Sequence, residues 1–243
     1  MFLIQREVPS DPSSIAYFMG CAGQGKSIAI DVHKEDVEWF IEQAAQKGVN
    51  IDYVIDTHIH ADHFSGAMEL AKRTGASYML HESSTPNFPF TPLKDGHKFT
   101  AGNVGVEVFH TPGHTMDSIC LLVTDFSRGP LPWFLISQHT LFVGSVGRPD
   151  LRGHERKMAG HLYDSIHSKI LTLPDHIEIL PGAKAGSVCG VGLSAKPSST
   201  IGYEKANNAS LKLTKEAFIE KILEELPPFP DKMDEIINAN ITG

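Results

Sequence analysis

Three imidazoles and a carboxylate fall within His58-Ile59-His60-Ala61-Asp62-His63, directly behind the apolar run Tyr53-Val54-Ile55. Burying such a cluster without partners costs roughly 1–3 kcal/mol for each desolvated polar group. The fold must therefore bind an ion there or bring partners from elsewhere in the chain. The spacing differs from the helical H-E-x-x-H pattern, in which two histidines share one helix face. Here the apolar run predicts a strand, along which alternate residues point the same way, so His58 and His60 are expected to leave its end side by side. Asp62 and His63 fall in a turn ahead of a helical pattern from Ser65 to Arg73. One short loop can thus present ligands to one or two adjacent cations.

A chain of 243 residues with 41% hydrophobic content can bury a sizeable core. We expect one domain over residues 1–243, with a C-terminal helical extension over about 205–243. The net charge of −8 and the absence of a Lys/Arg-rich run argue against a nucleic-acid partner. Charges arrive at Arg6 and Glu7, too early for a secretory leader, and no apolar stretch approaches the roughly eighteen residues of a membrane span. No membrane partner is expected, and a cytoplasmic location is. Cys21, Cys120 and Cys189 are odd in number and widely spaced, with no C-x-x-C, which indicates reduced thiols rather than a disulfide framework or a cysteine zinc site. Nothing in the composition excludes a homodimer.

Ile15 to Met19 and Ser27 to Asp31 read as strands joined by the turn-rich stretch Gly20 to Lys26. Gly20 to Ser27 also spells G-x-x-x-x-G-K-S. Phosphate cradling needs the Lys-Ser pair to open a helix, and the residues after Ser27 are β-rich, so nucleotide binding is disfavoured. Val37, Phe40, Ile41, Ala44 and Ala45 predict an amphipathic helix from Asp36 to Lys47, closed by Gly48. A strand from Asp52 to Asp56, the His-rich loop, a helix stopped by Gly75 and a strand from Ser77 to His81 complete an alternating half. Short strands follow: Val104 to Phe109, Ile119 to Thr124, Trp133 to Ile136 and Thr140 to Val143. Then come a helix near Met158 to Leu171, a strand near Ile177 to Leu180, and a helix from Thr214 to Glu225 stopped by Pro227-Pro228-Phe229-Pro230. Helices around two blocks of strands predict two sheets packed face to face with helices outside, a four-layer αββα sandwich of the α/β class.

Two more histidines sit at strand junctions. The Pro-Gly turn in His110-Thr111-Pro112-Gly113-His114-Thr115 presents His114, and Ser137-Gln138-His139-Thr140 places His139 between apolar strands. Neutral imidazole suits zinc, iron, copper or nickel. The isolated His81, His97, His161 and His176 read as surface or hydrogen-bonded residues.

Together with Leu141-Phe142-Val143-Gly144-Ser145-Val146-Gly147-Arg148-Pro149-Asp150, the stretches Thr57 to His63 and His110 to Thr115 resemble the metallo-β-lactamase superfamily. They are most similar to its persulfide dioxygenase branch, with hydroxyacylglutathione hydrolase as a near relative. The resemblance runs on through Ala185 to Gly190 and Ser199 to Lys205. It implies a mononuclear iron(II), with zinc(II) as the alternative ion, on His58, on His114 and on a carboxylate after the next strand. Two positions depart from the family pattern. Where the family has G-D-T-L-F, the chain has Gln138-His139-Thr140-Leu141-Phe142, so His139 stands for the carboxylate. Where it has P-G-H-G-A-G-S, the chain has Pro181-Gly182-Ala183-Lys184-Ala185-Gly186-Ser187, so Ala183 stands for a second-site histidine. These losses disfavour a binuclear zinc hydrolase. They leave His58, His114 and His139, with His60 close, as a metal-binding face, and Asp62 with His63 as a weaker second site. Lys184 is expected to set its ammonium against Asp62.

Three functions follow. The first is an iron-dependent oxidation of a small persulfide, of the glutathione persulfide type, to sulfite and thiol, with Asp62 and His63 beside the ion and Arg148 and Lys184 toward an anionic substrate. Ion pairing with Asp150 is the competing role for Arg148. The second is metal-assisted thioester hydrolysis. The third is a degenerate member that keeps the fold without turnover. Cys189 either carries sulfur or is a buried inert thiol.

Overall fold

The computed structural model describes residues 1–187, 189–226, 229 and 232–243. The first sheet opens with a strand that the sequence pattern does not announce: β1 (Phe2–Val8) pairs antiparallel with β2 (Asp11–Cys21), which turns back into β3 (Lys26–Ile30). Most of β1 is half-buried on both faces, so it lacks the alternation that marks a strand. Lys26 and Ser27 lie inside β3, where Ser27 Oγ donates to Asn50 O and Lys26 pairs with Asp52. The G-x-x-x-x-G-K-S stretch therefore opens no helix.

Helix α1 (Val37–Lys47) ends at Gly48 with φ 65°, the left-handed cap that glycine adopts without strain. It leads to β4 (Asn50–Ile55), α2 (Ala67–Thr74), β5 (Ser77–His81) and β6 (Thr91–Leu93), and β3 to β6 run parallel. The second sheet contains β7 (Lys98–Ala101), β8 (Val104–His110), β9 (Ile119–Asp125), β10 (Phe134–Gln138), β11 (Glu178–Pro181) and β12 (Ser199–Thr200), all antiparallel except β10 with β11. Helix α3 (Glu155–Ser165) makes the crossover between those two; α4 (Ile201–Asn207), α5 (Lys215–Glu224) and α6 (Met233–Thr242) follow the sheet. Among the described residues no helix is long and apolar enough to cross a membrane. Thr140 to Val143, expected as a strand, forms a turn in which Thr140 N donates to Ser137 O and Leu141 keeps one bridge to Val146. A short apolar run buried on every side carries no period that separates strand from loop. Val188 and the Pro227, Pro228 and Pro230 of the expected helix stop lie outside the described residues.

Strand alternation produces the layers. Tyr17 and Met19 of β2 face the second sheet and share a core with Ile119, Leu121 and Val123 of β9, whereas Ala16 and Phe18 face α1 and α2 through Phe40 and Leu70. On the far face of the second sheet, Leu122, Leu135 and Ile179 pack against Leu162 of α3 and Phe218 of α5. The order is helix, sheet, sheet, helix. Because β8, β10 and β11 share one direction, their C-terminal ends open at one edge, and the loop after β4 meets them there.

Tyr17 ties the sheets together beside that edge: its hydroxyl donates to Pro181 O at 2.6 Å inside the core. Tyr17→Phe keeps the ring and removes the donor. We predict a loss of about 1–2 kcal/mol in urea unfolding; an unchanged midpoint would show that the bond adds no net stability.

Candidate metal centre

His58 comes from the loop after β4, His114 from the turn after β8 and His139 from the turn after β10. Their ring centroids stand 4.8, 4.9 and 5.0 Å apart. All three are buried, and one nitrogen of each lies within 4.8 Å of the others. Hydrogen bonding decides which nitrogens face inward. His114 Nδ1 is 2.7 Å from Arg148 O; a carbonyl only accepts, so Nδ1 carries a proton and Nε2 is the nitrogen turned toward the triad. Thr57 Oγ1 donates its one proton to Asp31 Oδ2 at 2.8 Å, and so accepts from His58 Nδ1 at 3.1 Å. That leaves His58 Nε2 buried without a hydrogen-bond partner.

Burial, reinforced by the neighbouring imidazoles, pushes His58 well below the ordinary histidine pKa, and burial takes His139 down to about 3. Both are neutral near pH 7. An unpartnered buried nitrogen costs about 1–3 kcal/mol unless a cation takes its lone pair. Three converging imidazoles fit a divalent ion of the zinc or iron type. The backbone is bent to build this face: Gln138, just before His139, has φ 42°, and Asp31 has φ 53°. For residues with a Cβ this left-handed region costs on the order of 1–2 kcal/mol. Gly182 completes the fit, since a Cβ there would lie 2.9 Å from the His139 ring and 1.8 Å from Gln138 Oε1.

The structure does not bring His60 into the triad. Its Nε2 is 2.9 Å from Asp31 Oδ1 and 3.9 Å from Asp56 Oδ1, and its Nδ1 is 3.6 Å from Asp62 Oδ1. Burial opposes its charge, but Asp31, Asp62 and Asp56 raise its pKa well above the usual value. It is an imidazolium clasped by carboxylates. Strand β4 ends at Ile55, so the loop carries no two-residue period that would hold His58 and His60 parallel.

Asp62 Oδ1 lies 3.1 Å from His63 Nδ1, and the ring of His63 stacks on His33 at 3.5 Å. Burial works against the Asp62 charge, yet His63 and His60 hold its carboxyl well below the usual range. Its other oxygen, Oδ2, faces Cys189 Sγ at 3.6 Å and His139 Nε2 at 4.0 Å. The expected Lys184–Asp62 pair is corrected: Lys184 pairs with Glu7. Lys184 N donates to Ser13 O and Ala183 bridges Ser14, so the chain leaving β11 is stitched to β2 and turns this side chain away. Arg148 is buried, with Nε 2.6 Å from Asp150 Oδ1 and its guanidinium 5.5 Å from the Phe229 ring. Ion pairing is therefore the role its geometry shows, while its carbonyl orients His114. His81 is buried and, as expected of a structural histidine, hydrogen-bonded: its Nδ1 is 2.7 Å from Ser83 Oγ, and its ring stacks on His110 at 3.9 Å.

Sequence reasoning missed Asp31, Thr57 and Asn240. A carboxylate directly after the apolar strand Ile28-Ala29-Ile30 was a visible signal for Asp31. Asn240 carried none: from α6 its Nδ2 donates to His60 O at 3.0 Å and His63 O at 2.9 Å, while Oδ1 accepts from Ser65 N at 2.9 Å. Beside the triad, Ile59, Ala61, Met116, Leu151, Ile237 and Ile241 form the apolar part of the wall of a cavity of about 230 Å³, with Ser83, Ser84 and Asp117 among its polar residues. Asp150 also lines it and sets Oδ2 3.5 Å from His114 Nε2.

The metallo-β-lactamase superfamily profile matches residues 20–125. A crystal structure of a metallo-β-lactamase from Staphylococcus aureus superposes with a TM-score of 0.93 at 34% identity, covering 100% of this chain and 72% of that one. Persulfide dioxygenase ETHE1 of Bos taurus is 26% identical over 93% of this chain and 82% of its own. A hydroxyacylglutathione hydrolase of Polaromonas is 28% identical over 90% of this chain and 88% of its own.

Asn240→Ala removes three hydrogen bonds from the loop that carries His58. We predict metal affinity reduced about 10-fold or more, read by competition with a chromophoric chelator. Lys184→Ala, which breaks only the pair with Glu7, should leave that affinity within about 2-fold. Equal losses in the two variants would remove the distinction.

Proposed function

The chain belongs to the metallo-β-lactamase superfamily, and from that membership we propose that it is a metal-dependent persulfide dioxygenase acting on a small persulfide of the glutathione persulfide type. The observation that carries the reading is the buried face of His58, His114 and His139 beside a largely apolar cavity. The similarity to a persulfide dioxygenase over most of both chains supports it. Ala183 offers no ligand atom where a hydrolase of the family pattern places its second-site histidine, which weighs against oxygen-bridged two-ion hydrolysis.

Iron(II) held by His58, His114 and His139 would supply the affinity for dioxygen and the electron exchange that the reaction needs. Overall, one persulfide, one dioxygen and one water give one thiol, one sulfite and two protons; the outer sulfur is oxidised and the sulfur–sulfur bond breaks. The chain's own residues prepare the place. Thr57 and Asp31 hold His58 with Nε2 inward, and Arg148 O does the same for His114. Ile59, Ala61, Met116 and Ile237 give the side where a persulfide would enter an apolar wall that favours its weakly hydrated sulfur. Asp62 and His63 sit to one side and shape the charge around His139.

Protein purified without chelator should carry about one iron per chain and consume oxygen with glutathione persulfide. His58→Ala should lower that rate at least about 100-fold, and His139→Asp should increase iron retention. Iron-loaded protein that leaves oxygen untouched but cleaves a thioester would assign the hydrolase instead; loaded protein that does neither would assign the non-catalytic reading.

A further inference from the structure

The cavity beside the triad carries charge of one sign. The described residues that line it include two carboxylates, Asp117 and Asp150, and no Lys, Arg or His. Arg148 Nε lies 2.6 Å from Asp150 Oδ1, which offsets that charge within the wall. Asp117 has no such partner. It is 7% exposed and joins the two loops that carry His58 and His114: it follows His114 in the same turn, and its Oδ2 accepts from Ile59 N at 3.0 Å and from Ser84 Oγ at 2.7 Å. Its Oδ1 has no hydrogen-bond or ion-pair partner among the described residues. His81 stands within reach of its field, but burial and the neighbouring His110 hold that ring below the ordinary histidine pKa, so it brings no compensating charge near pH 7.

A carboxylate oxygen left without a donor in a buried wall favours a ligand that brings a cationic one. The rest of the wall limits what can accompany that cation. The side chains of Ile59, Met116, Leu151, Ile237 and Ile241 offer a carboxylate no donor, and about 230 Å³ admits a short carbon chain. Glutathione carries two carboxylates, and here they would meet Asp117 with no cation beside them. Arg148 and Lys221 line a separate cleft, where Asp150 and Glu225 engage them.

We propose that this cavity selects a short persulfide that bears an ammonium and no carboxylate, an aminoalkyl persulfide, with Asp117 Oδ1 accepting from the ammonium and the apolar wall covering the carbon chain. The proposal rests on the reading that the cavity receives the carbon part of the oxidised persulfide, and it narrows the substrate within that class. Glutathione persulfide is then a substrate, but the poorer one. Asp117 determines specificity: it touches the far end of the substrate and leaves the reacting sulfur to the ion.

Anaerobic calorimetric titration of the protein as purified, with the product-like thiols, provides the test. Cysteamine (2-aminoethanethiol) should bind at least about 10-fold more tightly than 3-mercaptopropionate or glutathione. Asp117→Asn keeps an acceptor for Ile59 N and Ser84 Oγ and removes the charge. It should cut the advantage of cysteamine over propane-1-thiol, which has a methyl group in place of the ammonium, at least about 10-fold. Thiol acidities cancel in that comparison, because the same two ligands meet both proteins. Wild-type protein that binds glutathione as tightly as cysteamine, or binds no cysteamine, overturns the proposal whatever the fate of the variant. So does an unchanged advantage in Asp117→Asn shown folded by circular dichroism. In oxygen uptake, cysteamine persulfide should show a KM at least about 10-fold below that of glutathione persulfide. Protein that oxidises neither persulfide yet keeps the thiol preference sinks the oxidation reading and leaves the charge selection standing.

Discussion

One carboxylate organises the metal loop. Asp31 accepts from Thr57 N at 2.7 Å, from Thr57 Oγ1 at 2.8 Å and from His60 Nε2 at 2.9 Å. Through Thr57 it fixes the tautomer of His58; directly, it keeps His60 charged, with that ring 4.2 Å from the ring of His58. Its own backbone N donates to Ile55 O, so the residue that orients the loop is anchored to the strand that delivers it. The positive φ of Asp31 is the conformational cost of that placement. The orientation of His58 and the charge on His60 thus both depend on a residue from the neighbouring strand.

Distant segments hold the rest of the loop. Asp117 accepts from Ile59 N at 3.0 Å and from Ser84 Oγ at 2.7 Å, and Asn240 of α6 grips the carbonyls of His60 and His63. Polar backbone in a buried loop needs such partners, since no strand neighbour supplies them. α6 also supplies Ile237 and Ile241 to the cavity wall, so one helix both clamps the ligand loop and shapes what lies beside it.

The αββα order was legible because β2 and β9 alternate between two apolar faces, and the three turns that bring His58, His114 and His139 together were legible because histidine follows apolar runs at each. β1 was not, because an edge strand half-buried on both sides has no pattern to read. Thr140 to Val143 misled for the opposite reason: every residue is buried, so hydrophobicity alone could not separate strand from turn. The family motif puts Lys184 where a second cation would sit against Asp62, whereas the contacts of Ala183 and Lys184 with β2 set its direction. Side-chain direction in loops depends on long-range hydrogen bonds, which local sequence does not encode.

Replacing a carboxylate by His139 moves negative charge rather than deleting it. Asp62 stands 4.0 Å from His139 Nε2 and Asp150 3.5 Å from His114 Nε2. Each is already engaged by a basic side chain, Asp62 by His60 and His63 and Asp150 by Arg148. Their fields are therefore partly cancelled before they reach a cation in the triad. A divalent ion on three neutral nitrogens keeps more of its charge than one with a bound carboxylate. Such a centre favours an anionic ligand, and an ionised persulfide meets that demand with a soft, weakly hydrated sulfur suited to the apolar wall beside it.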